Sequence, residues 1–97
     1  MADKPISLDP GGPNPDPLTG CKPGDKITWT NNTGKTITAF TLPSCVSPQT
    51  NPAPIAPGAT TRPYNVNHSA HGKYPYDYTY PDTAKGTKNG TIDVGSR

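Results

Sequence analysis

Tyrosine recurs at every second position in Gly72-Lys73-Tyr74-Pro75-Tyr76-Asp77-Tyr78-Thr79-Tyr80. A β-strand sends alternate side chains to opposite faces, so this spacing predicts a strand with phenol rings on one side and polar residues on the other. Aromatic residues in strands pack well on a pleated surface, so the plain reading of this stripe is core rather than ligand site. Shorter runs repeat the alternation. Ile27 and Trp29 share a face in Lys26–Thr30, and Thr36–Leu42 reads as a second strand, ended by Pro43. Tyr64 and Val66 alternate within a short strand over Arg62–Val66, and Ile92 and Val94 point inward from a closing strand over Gly90–Val94. Between them lie turn signals at Pro23-Gly24, Asn31–Lys35 and Pro57-Gly58. No window has a helical period. Six or seven short strands joined by Pro/Gly turns imply an all-β sandwich.

The first 20 residues break the pattern. Ile6 and Leu8 are their one alternating pair, and Pro5, Pro10, Pro13, Pro15 and Pro17 each remove a backbone donor. That predicts a short edge strand followed by a rigid Pro-rich connector, with residues 1–20 as an N-terminal segment and 21–97 as the sandwich. A Pro-rich ligand for a recognition domain is the functional alternative there.

Composition sharpens this only a little. The chain has 97 residues, 29% of them apolar, with 14 Pro and 10 Gly. That is one small domain with a modest core, and the alternating runs argue against disorder. A net charge of +2 is too small to argue for nucleic acid. No apolar run approaches the ~20 residues that span a bilayer, so membrane insertion is not expected. Met1 opens directly into polar sequence, which fits either a cytoplasmic protein or a mature form with an added start methionine.

Cys21 and Cys45 each lie 12 residues from Thr33, the centre of the loop between the first two predicted strands. Both therefore fall at one end of that two-strand unit. A disulfide is expected, closing a loop of about 25 residues and stabilising by about 3 kcal/mol in the chain-entropy model. It would place the protein in an oxidising compartment, periplasmic or extracellular. Two buried free thiols are the alternative. Enzyme signals are absent: Asp77, Asp82 and Asp93 show no pairing for acid–base work, and Ser44 has no nucleophile-elbow pattern around it.

Several landmarks occur in one order. Pro23-Gly24-Asp25-Lys26-Ile27-Thr28-Trp29-Thr30-Asn31-Asn32 resembles the cupredoxin segment in which a Gly-Asp or Gly-Glu turn opens a strand ending in Asn-Asn. Ile55-Ala56-Pro57-Gly58 resembles the family's Pro-Gly turn before its next strand. Gly72-Lys73-Tyr74-Pro75-Tyr76-Asp77-Tyr78 is similar to the Gly-x-Tyr-x-Phe/Tyr-x-Cys strand, and Gly90–Val94 to the closing strand. The resemblance covers residues 23–94 and implies a cupredoxin-like Greek-key β-sandwich of about six to eight strands. An unrelated immunoglobulin-like sandwich competes with it. Trp29 does lie between the two cysteines, but their interval is short for that fold.

The cupredoxin copper site uses two His, a Cys thiolate and usually a weak axial Met. In this resemblance the first His falls at Ile37 and the Cys at Tyr78, residues 79–89 contain neither His nor Met, and the single Met is Met1. The expectation is thus a copper-free module without cofactor or catalysis. It would be a monomer with a structural or protein-interaction role, its protein partner unidentified. The alternative is metal binding by His68 and His71, with Cys21 and Cys45 at the same pole. At the former copper pole, either Tyr78 plugs the vacated cavity, or Tyr78, Tyr80 and the loop Pro81–Asn89 form a contact surface. Lys85 and Lys88, a weak basic spot whose plain reading is a solvated loop, would then stand at its rim.

Overall fold

The computed structural model describes residues 3–81 and 87–95. Among these the chain is all-β: β1 Asp3–Asp9, β2 Gly12–Asn14, β3 Leu18–Cys21, β4 Lys26–Asn31, β5 Ala39–Thr41, β6 Val46–Ser47, β7 Tyr64–Val66, β8 Gly72–Thr79 and β9 Thr87–Val94. They form two mixed sheets, one in the order β2-β1-β4-β7-β6 and the other β3-β9-β8-β5. Their inner faces share one hydrophobic cluster, which gives the sandwich-like character the alternation predicts.

The N-terminal segment is where the structure departs most from the expectation. β1 is not an edge strand. It pairs in parallel with β4 over six residues, from Asp3↔Lys26 to Leu8↔Asn31, and carries β2 on its other side. β2 covers only Ser7–Asp9, so Pro5 lies on a stretch with a strand on one side alone, where a missing donor is tolerated. The Pro-rich run is not a connector either. It supplies β2 to one sheet and β3, parallel to β9, to the other. Ile6 and Leu8 are buried through β1, and Leu18 through β3. Residues 3–21 thus belong to both layers rather than preceding them.

Two other boundaries move. The expected strand over Thr36–Leu42 shrinks to Ala39–Thr41, because Ile37 bonds instead to Ile55 through both of its backbone groups, at 2.9 Å each. One residue later, Thr38 N–H donates to Thr79 O. The chain changes partners there. The closing strand is longer than Gly90–Val94. β8 offers a full ladder, and β9 pairs with it at eight positions from Gly72↔Val94 to Thr79↔Thr87, drawing the polar residues Thr87–Asn89 out of the expected loop.

Trp29, fully buried on β4, binds the layers together. Its ring lies edge-on to Phe40 of β5 at 5.0 Å and to Tyr64 of β7 at 5.4 Å, and tilted against Tyr76 of β8 at 5.6 Å. Phe40 and Tyr76 stack at 6.1 Å. Opposite Tyr76 the ladder places Gly90, and the hydroxyl end of the ring lies close to it. A Cβ at position 90 would stand 2.4 Å from Tyr76 Cζ and 2.7 Å from Pro13 Cγ.

Two outcomes test this packing. Gly90→Ala forces Tyr76 or Pro13 to move and should destabilise by about 1–3 kcal/mol, measured by denaturant unfolding. A chain beginning at residue 21 loses Ile6, Leu8 and Leu18 from the core and one side of β4 and β9. It should fail to unfold cooperatively, whereas an independent 21–97 domain would keep its melting transition.

Candidate functional site

Ile37 and Tyr78, which the cupredoxin resemblance would set at ligand positions, are both fully buried. β8 carries Tyr76 and Tyr78 inward, Tyr80 just past its end is also buried, and Tyr74 is partly buried on the same face, so the predicted stripe is a core face. Tyr78 and Tyr80 stack at 6.2 Å. Tyr78 OH donates to Asp9 O at 2.8 Å and Tyr80 OH to Pro10 O at 2.9 Å, so both hydroxyls reach the turn between β1 and β2. These rings are interior and their hydroxyls are bonded, so neither ring is open to a partner. Of the expected contact loop Pro81–Asn89, residues 82–86 lie outside the described residues. Lys88 lies half-buried on β9, and Lys85 lies outside the described residues.

The neighbouring loops are held by a buried amide. Asn31 Nδ2 donates to Lys35 O at 2.7 Å and to Ile55 O at 2.8 Å, while its Oδ1 accepts from Thr33 N at 3.0 Å and Thr33 Oγ1 at 2.7 Å. Its backbone N–H donates to Ala59 O and its carbonyl accepts from Gly58 N. This satisfied network ties the Asn31–Lys35 loop to the turn at residues 55–59. The sequence marks Asn31 only as a loop former. A polar residue at the inward phase of β4, after Ile27 and Trp29, was the signal that could have found it.

At the opposite end the expected disulfide is absent. Cys21 and Cys45 are free thiols, and both are buried. They do share one end: the turn at Gly24 bonds to Val66 O, Val66 pairs with Val46, and Asn67 N–H donates to Cys45 O. Chain symmetry about Thr33 explains that much, but it does not set the close Cβ geometry that a bridge needs. Burial pushes Cys21 up to about 11, with the Asp25 carboxylate adding to the rise. Burial likewise pushes Cys45 up to about 12, with Cys21 adding to it. Both sulfurs are therefore protonated and weakly nucleophilic at neutral pH.

The four-ligand metal site is not assembled. His68 and His71 are exposed while the cysteines are inside, and no group of three or more His, Cys, Asp or Glu side chains comes together among the described residues. His71 is engaged through its backbone, its N–H donating to Tyr74 OH and its carbonyl accepting from it. The carboxylates do not meet as an acid–base pair: Asp77 faces Asn89 and Asp93 faces Lys73 across the ladder, while Asp82 lies outside the described residues. Among the described residues no helix is long and apolar enough to cross a membrane.

Two buried polar tips, Trp29 Nε1 and Tyr76 OH, have no hydrogen-bond partner among the described residues. Burial drives the Tyr76 phenol far above its ordinary range, opposed by the Trp29 indole and reinforced by Asp16. Tyr78 is raised for the same reason, with Tyr76, Tyr80, Asp9 and Asp16 adding to the rise, and Tyr64 is raised as well. For these groups the folded state keeps a proton that the unfolded state releases. Their contribution to stability is therefore constant below the unfolded values, about 8.5 for Cys and about 10 for Tyr, and falls as pH rises beyond them. Alkaline titration should show the phenolate absorbance of these tyrosines appearing together with loss of fold rather than before it. A thiol reagent should find two groups per chain once the protein is unfolded, and should react only slowly with the native protein at neutral pH.

No family model matches this chain, and neither does any curated protein or solved structure.

Proposed function

We propose that this chain is a copper-free cupredoxin-like module with a Greek-key arrangement, serving a structural or protein-interaction role without catalysis. The observation that carries the reading is the filled pole. Ile37 and Tyr78 stand buried where the family resemblance calls for ligands, and the Tyr78 and Tyr80 hydroxyls are bonded to the β1–β2 turn. Buried residues that are not blue-copper ligand types suit a scaffold better than an electron carrier. The Asn31 network supports the same reading, since side-chain hydrogen bonds already tie the surrounding loops together. A protein partner would meet a closed surface at this end, with the β1–β2 turn over the phenols.

Copper(II) titration with absorption spectroscopy tests it. The expected outcome is a colourless protein with unchanged melting temperature, and an intense thiolate-to-copper band would refute the reading. The plug has its own signature. Tyr78→Phe leaves Asp9 O without its donor and should cost about 1–2 kcal/mol. Tyr78→Ala opens a cavity and should cost about 3–5 kcal/mol by denaturant unfolding.

A further inference from the structure

Beside the turn at Gly24 the structure has an open cleft of ≈ 300 Å³ lined by Gly24, Lys26, Asn65, Val66, Asn67 and His68. Its floor is built by register. Lys26 of β4 pairs with Asn65 of β7, and Asn65 pairs with Ser47 of β6, so these three side chains form a row across the outer face of one sheet. Lys26 Nζ donates to Asn65 Oδ1 at 2.9 Å, and Ser47 Oγ donates to Asn67 Oδ1. Both amides therefore turn their oxygens to protein donors. The hydrogen-bonding groups these lining residues keep unspent are mostly donors: the Asn65 and Asn67 NH₂ groups and the other Lys26 N–H bonds, with the His68 ring beside them. No carboxylate lines it. Asp3, which pairs with Lys26 from β1, lies outside the lining.

We infer that this cleft binds a small oxyanion, a phosphate or a carboxylate. An ammonium with two amide donors in fixed geometry suits acceptor oxygens that carry charge, where hydrogen bonds are shorter and stronger than neutral ones. The same ammonium repels a cation, which turns His68 away from the metal role its spacing from His71 suggests. The inference does not depend on the filled copper pole, which lies at the other end of the molecule.

The test is an amide-resolved NMR titration of the full chain with inorganic phosphate and, separately, with sodium acetate, at ionic strength held constant with chloride. Saturable shifts are expected at the backbone amides of Gly24 and residues 66–68 and at the Asn65 and Asn67 side-chain NH₂ groups. Saturation by one anion alone assigns the tetrahedral or the planar ligand. Lys26→Gln should weaken binding about tenfold, the order expected for one charge-assisted hydrogen bond. Asn65→Asp should abolish it by setting a carboxylate in the cleft, and His71→Gln, outside the lining, should leave it unchanged. Lys26 is exposed, so Lys26→Gln keeps the test decisive even if Asn65→Asp misfolds. Shifts that never saturate, that chloride alone reproduces, or that survive Lys26→Gln at full affinity would overturn the inference. So would saturable zinc binding at His68.

Discussion

The structure depends on the contact of one indole with three other rings. Trp29 and Tyr64 come from one sheet and Phe40 and Tyr76 from the other, so the rings that meet at Trp29 are also the contact between layers. In a chain with only 29% apolar residues, few side chains are available to bury. Aromatic side chains bury ~150–250 Å² each, so a handful of them can supply the inter-sheet contact that aliphatic residues supply elsewhere. The small residue facing Tyr76 follows from the same constraint. With Gly at position 90 the ring can lie against the backbone, and any Cβ would push it off.

Tyrosine cores bring polar tips with them, and the N-terminal run meets that need. Tyr78 and Tyr80 are donors in search of acceptors, and the β1–β2 turn presents the carbonyls of Asp9 and Pro10. A proline keeps its carbonyl while contributing no N–H of its own, so a Pro-rich segment can cap a row of phenols and leave fewer donors to satisfy. The same segment continues into β3 and closes the second sheet. Proline content that looks like a linker in isolation is here a cover over the tyrosine stripe.

The two ends of the molecule then differ in kind. One is filled by phenols and locked by the Asn31 amide, whose donors and acceptor are all used. The other combines buried protonated thiols with a solvent-facing row of donors beside the Gly24 turn. The first end is thus closed by bonded phenols, and the second keeps unspent hydrogen-bonding capacity.

The sequence by itself determined which residues are inside. Period-two alternation is a local property, so the tyrosine stripe, Ile27 with Trp29, Tyr64 with Val66 and Ile92 with Val94 were legible as inward faces, and the all-β class followed. Only the tertiary structure decided the partners of each strand. Whether β1 lies at an edge depends on β4, which is distant in sequence, and proline spacing says nothing about that. The extent of β9 was set by the length of β8 rather than by Thr87–Asn89. Cys21 and Cys45 shared an end by chain symmetry, yet whether they bridge is fixed by side-chain geometry that spacing does not encode. Lys26, Asn65 and Asn67 came together through strand register alone, which is why no motif announced the cleft.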